Sequence, residues 1–415
     1  MSVKSEKIIL ILGGSYGGIS TAHYILKHIV PNLPDRASYR LILVSASAKA
    51  MCRPACPRAL ISDDMFAQDK LFVSVSKGFE QYPKDKFRFI HGMAIEFDQN
   101  NRIVSISLED GNAEKIEFYA LVIATGACST SPMFGLNKDA ESLQENWSVF
   151  RKALPTARSV AIAGGGPTGI ETAGELGEFL NGRAGWFSSK LANPKVPITV
   201  YTSDSKILPV LRLAIALKAE RYLAKVGVTV VKNTRIASAE PQGAGIDNVA
   251  AKTTLTLSDG TRVTTDLYIP AVGTKPNTDF VPKELLVKDG RVETNPLTLR
   301  VDKAGPRIYA IGDAASYSRP AVHHIMGATP ILCANIKRDL LLASGKEMTS
   351  VGVDKEFKED TRETQFVPIG KTKGVGAAMG WRVPSFLVWL IKGRDYWLGG
   401  VGQVWSGEAW AKESR

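Results

Sequence analysis

Two glycine-rich turns carry the residue types and spacing that could do chemistry: Gly13-Gly14-Ser15-Tyr16-Gly17-Gly18 and Gly164-Gly165-Gly166-Pro167-Thr168-Gly169. Each follows an apolar run, KIILIL or RSVAIA, and precedes a helical pattern, ISTAHYILKHI or IETAGELGEFL. A dinucleotide fold asks three things of such a turn: a tight bend at the strand end, close approach of backbone to a pyrophosphate, and close packing of helix on strand. Gly13 and Gly18 suit the first and third demands. Ser15 stands at the second and is small enough to leave phosphates access to the helix N-terminus and its dipole. Gly164, Gly166 and Gly169 match G-x-G-x-x-G in full. A lone variant of the motif also fits a plain structural turn, but two in the same β-turn-α-β context imply two dinucleotides held side by side.

Other residues join these turns. In Tyr309-Ala310-Ile311-Gly312-Asp313 an apolar strand delivers a carboxylate at a glycine. Asp313 could bond a ribityl hydroxyl, or it could be only a helix N-cap. Thr125-Gly126 and Gly273 end two more apolar strands, where the two units should cross over. Cys52 and Cys56, in MCRPACPRALI, raise the prospect of a redox dithiol. A dithiol also needs an activated thiolate and a base to relay its proton. Arg53 and Arg58 could lower a thiol pKa, but nothing in the sequence supplies the relay. Small side chains packed in a cofactor loop are the favoured reading of the pair.

Elements must position these groups. Each turn helix leads to a further strand, RLILVS or ITVYTS, so β-turn-α-β occurs twice in a chain of 415 residues. Segments 86–127 and 228–277 read as β-rich with D-G turns, and a helix is expected at about 321–344. Residues 350–415 differ in composition and hold Trp381, Trp389, Trp397, Trp405 and Trp410 of the chain's 7 tryptophans. There VPSFLVWLI is too short to span a bilayer, but Arg382, Lys392 and Arg394 flank it. Aromatic and basic edges suit a membrane interface; a buried interface or a homodimer contact are the alternatives.

A composition of 44% hydrophobic and 22% charged residues is that of an ordinary globular protein. With 4 cysteines there is no disulfide framework, so a reducing, cytoplasmic setting is expected. No signal region precedes the first strand, and Ser2 replaces the glycine that myristoylation needs. The net charge of +11 is open to anionic lipid or acidic cofactors, or is a solvated surface. No helix-turn-helix, zinc or RNA-recognition pattern accompanies it, which weighs against nucleic acid as a partner. No metal site is expected.

The ordered set of turns over about residues 7–345 resembles the two-dinucleotide-binding flavoprotein reductases, the pyridine nucleotide-disulfide oxidoreductase superfamily. The stretches ILGGSYGGISTA, CPRALI and IGKTKGVGAAMGW…LIKGRDYW are similar to the branch of ferroptosis suppressor protein and the apoptosis-inducing factor homologues. The resemblance implies an α/β fold of two Rossmann-like domains with a small C-terminal α+β domain. It implies an FAD domain at 1–150 and 281–345, an inserted NAD(P)H domain at 151–280, and an interface or membrane-contact domain at 346–415. On it, Gly13, Gly14, Ser15, Tyr16, Gly17, Gly18, Arg58, Ala94, Thr125, Gly126 and Asp313 would meet FAD. Gly164, Gly166 and Gly169 would hold the nicotinamide cofactor, Gly273 would be a further cofactor-binding residue at the crossover, and Glu171 would stand beside the nicotinamide, its alternative being a solvated helix residue.

The chain departs from the pattern in two places. Ser45 and Thr202 end the strands where an acid on the adenosine ribose is usual. Without that acid a 2′-phosphate is not repelled, and NADPH stands beside NADH as donor. The expected activity is hydride transfer from NAD(P)H to FAD, then electron delivery to a quinone-like acceptor. The alternatives are a tailoring oxidoreductase of a metabolic pathway, or a flavin-bound redox sensor or cell-death effector.

Overall fold

The structure, a computed structural model, describes residues 6–413; Ser2, and with it the reading of the N-terminus, lies outside them. Strand Lys7–Leu12 sits inside a seven-stranded sheet whose order is 308–310, 120–123, 7–12, 39–45, 87–98, 103–108, 113–117. It pairs in parallel with Tyr39–Ser45 on one side and Ala120–Ile123 on the other. Strands covered on both faces read as unbroken apolar runs, which is why IILIL and ALVI do not alternate. Phe87–Asp98 runs parallel to 39–45 as far as His91, then pairs antiparallel with Ile103–Leu108, with an irregularity between Ala94 and Glu96.

A second, four-stranded parallel sheet has the order 228–231, 198–201, 160–163, 267–270. It repeats the arrangement of the first: a central strand, a glycine turn, and a helix, Pro167–Asn181 here and Tyr16–Tyr24 there. The two units are laced by a short antiparallel ribbon in which Ala127–Ser129 pairs with Thr274–Pro276. Helix Val322–Ala343 packs beside Tyr16–Tyr24 under the first sheet. The molecule is thus an α/β protein of two Rossmann-like sheets.

Beyond these, Gln365–Ile369, Lys373–Ala378 and Trp381–Arg382 form an antiparallel sheet. Two short helices, Ser385–Val388 and Leu398–Trp405, complete the C-terminal unit. Its end is clasped by one face of the first helix and the wide turn after it. His23 Nε2 bonds the Trp405 carbonyl at 3.0 Å, Lys27 the Gly407 carbonyl at 2.5 Å, and His28 the Trp410 carbonyl at 2.8 Å. A carbonyl only accepts, so His23 carries its proton on Nε2 and its Nδ1 accepts from the Tyr82 hydroxyl at 2.9 Å. Among the described residues no helix is long and apolar enough to cross a membrane.

Candidate active site: two cradles and a buried charge cluster

The two glycine turns share one geometry. Gly13 has φ +123° and Gly164 φ +119°; a Cβ on either would stand 2.1 Å or 2.2 Å from the carbonyl oxygen of Ala124 or Ala271. A Cβ on Gly18 would lie 1.8 Å from the Gly13 oxygen, and one on Gly169 2.2 Å from the Gly164 oxygen. Strand, turn and helix therefore close on each other only with glycine at these places. Under the middle of each turn lies a hydroxyl from the neighbouring strand end: Ser45 Oγ under Gly14, and Thr202 Oγ1 under Gly165. Both short side chains lie where a cofactor-binding acid would stand.

The open side of each turn suits a pyrophosphate. A Cβ on Gly166 would meet nothing within 4 Å, and Ser15 at the matching position of the first turn is exposed. Ser15 and Gly166 are the N-caps of their helices, and neither helix start has a side-chain cap. The unpaired first-turn N–H groups are left for an anion. Gly126, at φ +66°, and Gly273, at φ +77°, are likewise clear of neighbours. Thr125 Oγ1 donates to the Asn277 carbonyl at 2.7 Å, joining the two strand ends. Tyr16 and Gly17 are buried at the head of the first helix. Ala94 lies half-buried at the irregularity of its strand. FAD and a nicotinamide dinucleotide both fit these residues.

Asp313 lies in a single turn, Gly312–Ala314, while the following helix is capped at Ala321, so the N-cap reading is set aside. Burial raises the Asp313 pKa, against the pull of Arg53 and Arg291. Arg53 Nη1 stands 3.9 Å from its carboxylate and also donates to the Ala127 carbonyl at 2.8 Å. In the sequence Arg53 stands out only as a neighbour of the cysteines. Its pairing with Asp313 joins two distant parts of the chain and has no local signal.

Arg58 and Glu171 come together in one buried cluster. Arg58 holds Glu175 through two bonds, Nε at 3.0 Å and Nη2 at 2.8 Å, and its Nη1 donates to the Arg394 carbonyl at 3.3 Å. The resemblance implies an FAD contact for Arg58; its guanidinium is committed here to the second Rossmann helix. Tyr396 donates to Glu175 at 3.0 Å, and its ring lies 4.7 Å from the Arg58 guanidinium carbon. One helical turn before Glu175, Glu171 accepts from Lys392, which also donates to the Phe366 carbonyl at 3.2 Å. Glu171 is not a solvated residue: it is 3% exposed, and burial pushes its pKa up to about 7 against the pull of Lys392. Glu175, Lys392 and Tyr396 were missed in the sequence. The i, i+4 spacing of Glu171 and Glu175 was the one local clue that both share a helix face.

A family model described as pyridine nucleotide-disulphide oxidoreductase matches residues 7–329. The chain belongs to that family. It is an oxidoreductase with FAD and NAD(P)H as cofactors. It is 61% identical to oxidoreductase phnG of Penicillium herquei, over 99% of this chain and 98% of that one. It is 27% identical to human ferroptosis suppressor protein 1, over 95% of each chain. Among solved structures it resembles NDH2 from Plasmodium falciparum in complex with NADH, with a TM-score of 0.65, 14% identity and 99% of each chain covered.

This pyridine nucleotide-disulphide oxidoreductase has no exposed dithiol of its own in the loop. Cys52 and Cys56 are buried and unpaired. Cys52 Sγ lies 3.4 Å from the Tyr396 carbonyl and 3.5 Å from the Tyr16 hydroxyl, and Cys56 Sγ 4.0 Å from Met51 Sδ. Burial raises both thiol pKa values, which keeps them protonated and poor as nucleophiles.

Proposed function

We propose that the protein oxidises NAD(P)H and reduces a quinone-like organic acceptor. Bound FAD would supply the hydride-accepting and electron-passing chemistry. The burial of Cys52 and Cys56 carries this reading: with no thiolate relay, the electrons leave to an outside acceptor rather than through a protein disulfide. The chain's own work is to hold and orient. Its paired glycine turns set the cofactor backbones, Arg53 reaches both Asp313 and the Ala127 carbonyl of the ribbon, and the Glu171–Lys392 pair ties the second helix to the C-terminal unit. The neutral Thr202 admits NADPH as well as NADH.

A second reading keeps the electron path but gives it a single metabolite as acceptor. The far greater identity to oxidoreductase phnG than to ferroptosis suppressor protein 1 favours it. Anaerobic stopped flow separates the two. NAD(P)H should bleach the yellow protein, and a short-chain quinone should restore the colour within the turnover time. Cys52→Ser with Cys56→Ser should leave both phases unchanged. Bleaching without reoxidation by any quinone ends the first reading, and failure of reoxidation in the cysteine variant alone revives the dithiol.

A further inference from the structure

The loop MCRPACPRALI holds two arginines with opposite surroundings. Arg58 is buried, and its guanidinium is filled by Glu175 and the Arg394 carbonyl. Arg53 keeps 33% of its side chain exposed. Its Nε donates to the Phe134 carbonyl at 3.0 Å and its Nη1 to the Ala127 carbonyl at 2.8 Å, which fixes the plane of the guanidinium. Its Nη2 has no partner among the described residues.

That guanidinium faces Asp313 across a gap. Strands 7–12, 120–123 and 308–310 are parallel neighbours, so Gly13, Thr125–Gly126 and Gly312–Asp313 leave one edge of the sheet together. Ligands of such sheets lie outside that carboxyl edge. Asp313 has 25% of its side chain exposed there, and its carboxylate accepts no hydrogen bond from the described residues. The other cation that acts on it, Arg291, is held by Asp289 and by the Ala315 and Ser318 carbonyls. The 3.9 Å between Arg53 Nη1 and Asp313 Oδ2 is too long for a hydrogen bond. A hydroxyl between them would close the gap, donating to the carboxylate and accepting from the guanidinium.

We propose that Arg53, and not Arg58, is the loop arginine that holds FAD, and that it acts with Asp313 on one hydroxyl of the ribityl chain. A hydroxyl both donates and accepts, as the pair requires. Pyrophosphate oxygens only accept, and would leave Asp313 without a donor. The assignment concerns the FAD cofactor and holds whichever acceptor takes the electrons.

Titration of the apoprotein with FAD, read by flavin fluorescence, tests this without turnover. Arg53→Met should weaken FAD binding at least about ten-fold, the loss of one charge-assisted hydrogen bond. Arg53→Lys should recover part of that loss. Among FAD analogues that each lack one ribityl hydroxyl, one should bind the unaltered protein about ten-fold more weakly than FAD. Arg53→Met should discriminate against that analogue much less. Arg53→Met with Asp313→Asn should lose less than the two single variants added together, since both act on one hydroxyl. Arg58→Met with Glu175→Leu should keep its affinity for FAD. Thermal melting of each apoprotein separates a lost contact from a lost fold. Should Arg53→Met fail to fold, the comparison of FAD with its deoxy analogue is read on Arg53→Lys. The proposal is overturned if folded Arg53→Met binds FAD as tightly as the unaltered protein, or if no deoxy analogue binds more weakly than FAD. It is equally overturned if Arg58→Met with Glu175→Leu melts as a folded protein but loses FAD.

Discussion

At the scale of single residues, the buried charges dominate. Arg58, Glu171, Glu175 and Lys392 are all buried, and each has its opposite charge within bonding distance. Removing one member strands the other in a poorly solvated place. Glu175→Ala should therefore lower unfolding free energy by roughly 3–5 kcal/mol, and Arg58→Met with Glu175→Leu by much less, as measured by urea denaturation. Glu171 adds a pH signature. Its folded pKa of about 7 lies above its ordinary 4.5. The folded state thus holds its proton longer than the unfolded state, and this group's stabilising contribution is full below pH 4.5 and lost as pH rises to 7. Glu171→Gln should flatten the stability profile over that window.

At the scale of elements, the turns and the clasp respond differently. A Cβ on Gly164 would run into the Ala271 carbonyl at 2.2 Å, whereas one on Gly166 meets nothing. Gly164→Ala should lower the melting temperature by several degrees, on the order of 1–3 kcal/mol for backbone strain. Gly166→Ala should leave the melting temperature and the flavin content alone and weaken NAD(P)H binding about ten-fold, because the methyl occupies the pyrophosphate's approach. The clasp of the first helix on the C-terminal segment turns on His23, whose pKa burial lowers from 6.5 to about 4. Here the unfolded state takes the proton first. Stability from this group is present above pH 6.5 and lost as pH falls toward 4, opposite in sign to Glu171. Tryptophan fluorescence through Trp405 and Trp410 should show the loss, and His23→Ala should remove its pH dependence while lowering stability at neutral pH.

At the scale of the whole molecule, the C-terminal unit completes a cluster that the two Rossmann sheets leave open. Lys392 supplies the cation for Glu171, and Tyr396 a donor to Glu175, both from the far end of the chain. Lys392→Met should destabilise the protein at mildly alkaline pH and much less at mildly acidic pH, because Glu171 can then take a proton. Adding Glu171→Gln should recover most of the loss. A denaturation series at the two pH values checks both statements. The same unit turns Phe386, Leu390 and Ile391 outward while Lys392 reaches the charged interior.

The sequence by itself determined the Rossmann repeats, because glycine at a strand-to-helix turn and unbroken apolar strands are local requirements. Gly13, Gly18, Gly164 and Gly169 could be read one by one, and so could the missing acids at Ser45 and Thr202. Tertiary structure alone decided what Arg58 pairs with, that Arg53 faces Asp313, and that Lys392 is buried while Phe386 is not. An ion pair depends on which distant backbone brings its partner within bonding distance. A charged residue in an apolar run reads as exposed until that partner is known. The loop MCRPACPRALI shows both sides: its cysteines and arginines were legible as chemistry, but burial silenced the thiols and Glu175 claimed the arginine.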